Sequence, residues 1–170
     1  PWGQAALGHD ADAYFACHPG YESLFPFLTQ LLKPASEQLS ATLDLLSDHD
    51  ALWSPHGLRS LSKAHPLFGE EEDYWRGAIW LPINYMALRA LHHYSQGSGK
   101  NADRCAILYT DLRLNIIHTV LDEYERTGYT WEQYDEETGH GRRNHPFTGW
   151  TSLVVLIMAE KYHTTYPTLS

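Results

Sequence analysis

Between the turn Gln96-Gly97-Ser98-Gly99 and Gly128, apolar residues recur at steps of three and four: Cys105, Leu108, Leu112, Ile116 and Val120. Only an α-helix puts that spacing on one face, and only a packed neighbour removes the stripe from water. Asn101 is a suitable N-cap, Asp103 sits near the positive end of the helix, and Gly128 supplies a C-terminal stop. A chain committed to so long an amphipathic helix has to find its core in further helices.

The rest of the chain supplies them. A first helix is expected from about Glu22 to Leu32, broken at Lys33-Pro34, with Pro34 opening the second. Leu39, Leu43 and Leu46 make the second helix amphipathic, and it stops before Asp48-His49-Asp50. The third follows Trp75-Arg76-Gly77, carries Pro82 in its first turn, and presents Ile83, Ala87, Ala90, Leu91 and Tyr94. The last, about Gly149 to Tyr162, is apolar nearly all round from Leu153 to Ala159 and is expected to be enclosed by neighbours. Residues 1–20 read as an irregular entry segment, and residues 53–73 as a long functional or mobile connection. No β-hairpin signature appears, so the expected fold is all-α, built from antiparallel helical pairs. Five helices, one almost wholly apolar, make a poor isolated bundle, so partner helices outside this chain are expected.

Charge and composition exclude several functions. A formal charge of -9 argues against a nucleic-acid partner, and the only local basic concentration is Arg142-Arg143. The apolar run Leu153–Ala159 is far short of the roughly 20 residues a bilayer span needs, so no membrane contact is expected of this segment. The chain opens Pro-Trp-Gly-Gln without a starting Met or signal-peptide features, which suggests a processed product or a fragment. Cys17 and Cys105 fit buried free thiols and a disulfide equally.

Chemistry concentrates in residues 131–150. Glu132 lies between Trp131 and Tyr134, followed by Gly139, Gly141, Phe147 and Trp150. Flat rings stack on sugar faces, and a carboxylate among them is partly desolvated, which raises its pKa and suits proton transfer. A capping or ion-paired Glu is the plain alternative. A second constellation, Trp75-Arg76-Gly77-Ala78-Ile79-Trp80, sets a guanidinium fork beside two indoles; helix entry packing explains it equally. Trp53 with His56-Gly57 is a third, which a loop pinned to the core would also produce. His92-His93 point in different directions on one helix, and His140 and His145 lack metal-ligand spacing, so no metal is expected. The acidic run 70–73 reads as a solvated loop, and no strand-turn-helix elbow or Cys-His frame supports a Ser or Cys nucleophile.

In order along the chain, Ser23-Leu24-Phe25-Pro26-Phe27, Trp53 to Leu61, Tyr74 to Trp80 with Asn84-Tyr85, Trp131-Glu132-Gln133-Tyr134, and Pro146 to Leu153 resemble glycoside hydrolase family 63, the family of the processing α-glucosidases. The similarity runs from about residue 20 to residue 162. It implies that residues 1–170 are the C-terminal segment of an (α/α)6 toroid whose loops line a sugar pocket. It implies hydrolysis, with inversion and without metal or cofactor, of the terminal α-1,2-linked glucose of Glc3Man9GlcNAc2 N-linked oligosaccharides in the endoplasmic reticulum lumen. Inversion needs two carboxyl groups roughly 6.5–9.5 Å apart. By motif position Glu132 is the general base, and Trp75, Arg76, Trp80 and Trp150 are pocket residues. Trp131, Tyr134, Phe147, Trp53 and Gly57 complete the candidate substrate contacts. The family's general acid is an Asp upstream of every matching piece. Asp10, Asp12, Asp44, Asp48 and Asp50 stand in the wrong contexts, so the expected partner is the upstream part of the same enzyme, whose N-terminal membrane anchor is likewise not in this chain. The alternative is a carbohydrate-binding helical module without catalysis.

Overall fold

The stripe at 105–120 is realised in the longest of five helices in the computed structural model, which describes residues 19–160. The helices are α1 (Phe25–Leu28), α2 (Glu37–Ser47), α3 (Leu81–Ser95), α4 (Lys100–Thr127) and α5 (Leu153–Ala159). Cys105, Leu112, Ile116 and Val120 are buried against α3, whose inner face is Ala87, Leu88, Ala90, Leu91 and Tyr94. The pair forms a helical hairpin over the short 96–99 turn. Gly128 closes α4 in the left-handed region at φ 78°, its N–H donating to Tyr124 O at 2.7 Å. The N-cap is Gly99 rather than Asn101, because the helix begins earlier than expected. Asn101 instead donates its side-chain amide to Pro34 O at 3.1 Å.

Two other helix boundaries differ from expectation. The first helix does not reach Leu32. A 3-10 turn at Tyr21–Leu24 leads into the single turn of α1, and Gln30 enters the left-handed region at φ 60°. Thr29 Oγ1 bonds back to Phe25 O at 2.6 Å, and Tyr94 Oη, bonded to both N and O of Leu32, fastens the departing chain to α3. Helix α2 starts at Glu37, not Pro34, because the Ser36 hydroxyl accepts Leu39 N–H at 3.2 Å.

The all-α expectation misses two short antiparallel ribbons. Strands β1 (Trp53–Ser54) and β2 (Gly57–Leu58) pair Trp53 with Leu58; β3 (Gln133–Tyr134) and β4 (Gly141–Arg142) pair Gln133 with Arg142. Single bridges from Ile79 to Arg59 and to Tyr134 join the ribbons across the entry to α3. Two-residue strands carry no periodicity to read; tertiary pairing makes them. The 53–73 connection is accordingly not free: Ser54, Leu58, Arg59 and Ser60 are all buried.

A buried amide organises this junction. Asn84 Oδ1 accepts Leu58 N–H at 2.7 Å, while its Nδ2 donates to Trp80 O at 2.8 Å and lies 3.2 Å from Leu58 O and Tyr21 Oη. Tyr21 Oη donates to Leu58 O and accepts Trp80 N–H, so one network sets β2, the start of α3 and Trp80 together. Leu24, Phe27, Leu39, Leu43, Leu46, Leu52 and Ile79 close the core around it.

Helix α5 is covered on one side. Val154 and Ile157 are buried, but Val155, Leu156 and Met158 are 63%, 50% and 45% exposed, so its outer face is not enclosed by the described residues. Its expected extension to Tyr162 runs past them, as do residues 1–18 of the entry segment and Cys17. Among the described residues Cys105 is free, and it is buried; desolvation pushes its thiol up to about 12, so it is inert near neutrality. Among the described residues no helix is long and apolar enough to cross a membrane, and no His/Cys/Asp/Glu group of three is placed to hold a metal ion.

Candidate active site

Glu132 is only 4% exposed at the edge of β3. Tyr74 Oη donates to its Oε1, and Asn144 donates to Oε2 through its side-chain amide and, at 3.3 Å, through its backbone N–H. The main chain is held as firmly: Glu132 N–H donates to Asn144 O at 3.0 Å, and Trp150 Nε1 donates to Glu132 O at 2.7 Å. Burial pushes the carboxyl pKa up, as its aromatic frame suggests. The hydrogen bonds from Tyr74 and Asn144, with the charge of Arg143, outweigh it and hold the group below the ordinary Glu value. This corrects the expected upward shift. The group is a buried, ionised carboxylate, the protonation state a base must have.

The aromatic frame assembles around it, partly from the residues expected. The rings of Trp75 and Trp80 stack with centroids 3.9 Å apart at 8°, with Tyr74 edge-on to both. Trp150 lies 5.5 Å from Trp80, and Phe147 4.8 Å from Trp150. Trp75 is the outermost, 55% exposed, whereas Trp80 is buried and its Nε1–H has no acceptor among the described residues. Gln133 Oε1 beside them is likewise unpaired.

Other expected contacts go elsewhere. Tyr134 is fully buried, its hydroxyl accepting Trp131 N–H at 3.3 Å. Trp131 packs on His145 at 3.8 Å and donates Nε1–H to Thr127 Oγ1 at 3.2 Å, behind the carboxylate. Arg76 turns to the acidic loop, bonding Glu70 O at 2.9 Å and Glu71 at 3.2 Å. Gly57, at φ 139°, is a packing glycine: a Cβ there would meet Ile116 at 2.7 Å and Ile79 at 2.9 Å. Trp53 lines a cleft of about 560 Å³ with His49, Leu108, Asp111 and His118, and Glu132 is not on that cleft. At Glu132 a desolvated charge, its donors and the rings converge.

Three contributors escape a residue-type reading. Tyr74 stands inside the Trp75 motif but is overshadowed by its tryptophans, and Asn144 has no marker of its own. The third is the basic pair. Arg142 and Arg143 both bond Asp73, and Arg143 reaches Glu72 at 3.1 Å and covers the Tyr74 ring at 5.4 Å. Glu70, Glu71 and Glu72 stay exposed, as the solvated-loop reading expects; only the half-buried Asp73, held by both arginines, clamps the run to the site loop. Arg143, in the left-handed region at φ 68°, turns the chain so that Asn144 returns to Glu132.

Known proteins share this sequence pattern and this fold. The profile of the glycosyl hydrolase family 63 C-terminal domain matches residues 4–160. A probable mannosyl-oligosaccharide glucosidase of Schizosaccharomyces pombe is 45% identical over 152 residues, covering 89% of this chain and 19% of that protein. A mannosyl-oligosaccharide glucosidase of Arabidopsis thaliana is 45% identical over 150 residues, covering 85% and 18% respectively. The family 63 mannosylglycerate hydrolase of Thermus thermophilus, crystallised with glucose, shares the fold at a TM-score of 0.64 and 22% identity, over 87% of this chain and 33% of that one. The chain belongs to glycosyl hydrolase family 63 and corresponds to its C-terminal domain. It spans less than a fifth of the length of the two glucosidase relatives.

Proposed function

We propose that this chain is the base-bearing part of an inverting exo-α-glucosidase that removes the terminal α-1,2-linked glucose of Glc3Man9GlcNAc2 N-glycans in the endoplasmic reticulum lumen. The observation that carries the reading is the buried, ionised Glu132 beside the Trp75, Trp80, Trp150 and Phe147 rings. The names of the relatives at 45% identity supply the substrate class.

In this reading Glu132 takes a proton from water as the water oxygen bonds the anomeric carbon. The glycosidic oxygen leaves with a proton from a second carboxyl group. The described side chains that bond the Glu132 carboxylate are Tyr74 and Asn144, neither of them a carboxylic acid. On the family resemblance, the general acid is assigned to an Asp in the upstream part of the enzyme. The bare face of α5 is where further helices of the (α/α)6 toroid would pack. The exposed Trp75 offers a stacking face to a glucosyl ring.

The test replaces Glu132 with Gln in the assembled enzyme and follows glucose release from a triglucosylated glycan. Loss of roughly 10³-fold or more in kcat, with a glucose-mimicking iminosugar still bound, is expected. Near-native turnover would dismiss the base assignment. Iminosugar binding by a native enzyme that releases no glucose would favour the binding-module alternative.

A further inference from the structure

The loop after β4 returns to Glu132 with donors aimed at one oxygen only. Asn144 Nδ2 and Asn144 N–H both donate to Oε2, which fills that oxygen's two acceptor positions. Among the described residues Oε1 accepts from the Tyr74 hydroxyl alone, which leaves it a lone pair. We propose that Asn144 is the positioning residue of the base: by claiming Oε2 it fixes the carboxylate plane and leaves Oε1 as the oxygen that takes the proton from water. The inference rests on the base reading above.

The surroundings suit the role. Asn144 is neutral, so it stabilises the anion without supplying a proton that would quench it. The other polar or charged groups facing the carboxylate are Tyr74, on the turn before α3, and Arg143, on the same loop as Asn144. Glu72 and Asp73 behind them are engaged by Arg143 and Arg142. Asn144 itself lies at the surface, so shortening it opens no core.

The experiment compares kcat against pH for Asn144→Ala, the isosteric Asn144→Asp and Glu132→Gln, all in the full-length enzyme. The alanine variant should lose roughly 10–100-fold in kcat with KM little changed, and the acid limb of its profile should move to higher pH. The aspartate variant, which sets one carboxylate against another, should move that limb further up. If both variants fold and keep the native limb while Glu132→Gln is inactive, Asn144 is not the positioning residue although the base stands. If Glu132→Gln turns over normally, both readings fall. Failure of both Asn144 variants to fold would make the residue structural and end the proposal.

Discussion

A Cβ on Gly141 would lie 2.0 Å from Cγ of Trp131, so the indole and the bare backbone of β4 occupy one space by mutual requirement. Trp131 cannot easily yield, because His145 packs on it at a tilt and Thr127 holds its Nε1–H. Gly141→Ala is therefore expected to displace the residue next to Glu132 and to cost roughly 1–3 kcal/mol of stability. Denaturant unfolding of the variant, with tryptophan fluorescence as the probe, checks this. Native stability together with native activity would contradict the packing account.

Tyr74→Phe keeps the ring that meets Trp75 and Trp80 and removes the donor to Glu132. With one stabilising bond gone, the carboxyl pKa should rise toward its ordinary value. The acid limb of kcat should move up while the fold is kept, and the loss in kcat at neutral pH should be roughly 10-fold. A profile identical to the native one would show that the hydroxyl does not tune the base.

Asp73, Glu123, Glu132 and Asp135 all ionise more readily in the folded chain. Burial opposes this at each, but bonds from Arg142, Arg126 with Gly141 N–H, Tyr74 with Asn144, and Thr138 prevail in turn. The folded state thus binds protons more weakly than the unfolded one. Their contribution is complete above the unfolded values of 3.8 for Asp and 4.5 for Glu, and is lost as pH falls through the lower folded values. Stability from these groups should be level above about pH 5 and decline below about 4.5. Urea midpoints across that range test it; a decline beginning on the alkaline side would refute the assignment.

Arg59 is almost fully buried and bonds Glu136 as well as the carbonyls of His49, Ala51 and Trp53. Its loss strands a buried carboxylate and takes a donor from three carbonyls, of which Ala51 O keeps Lys63 N–H. Arg59→Ala should destabilise by roughly 3–5 kcal/mol. Arg104→Ala, at a pair whose Asp44 carboxylate is largely exposed, should cost under about 1 kcal/mol. Similar thermal midpoints for the two variants would show that burial does not govern these pairs.

Asn84→Ala removes the amide that serves Leu58, Trp80 and Tyr21 at once, and leaves Leu58 N–H unpaired in the core. A loss of about 3 kcal/mol is expected. Hydrogen exchange at Leu58 should quicken before exchange in the middle of α4 does; equal protection in native and variant protein would rule the network out as the organiser of this junction.

Where local chemistry and helical period act together, the chain was readable. Pro82 opened α3 and Gly128 closed α4 as expected, and the Leu39, Leu43 and Leu46 stripe faced the core. The ribbons were not readable, since pairs such as Trp53 with Leu58 are too short to carry a pattern. Within the site, residue type drew Trp53 and Gly57 in with Glu132, although the fold places them on a ribbon packed against α4.

The sequence by itself determined the helical framework, the family and the carboxylate in its aromatic frame, because periodicity, helix stops and ordered motifs are local properties. Only the tertiary structure decided the state of that carboxylate. Desolvation by neighbouring rings predicts an upward shift; donors from Tyr74, 58 positions earlier, and Asn144, 12 later, reverse it. Contacts so distant in the chain are set by packing, which no local pattern encodes.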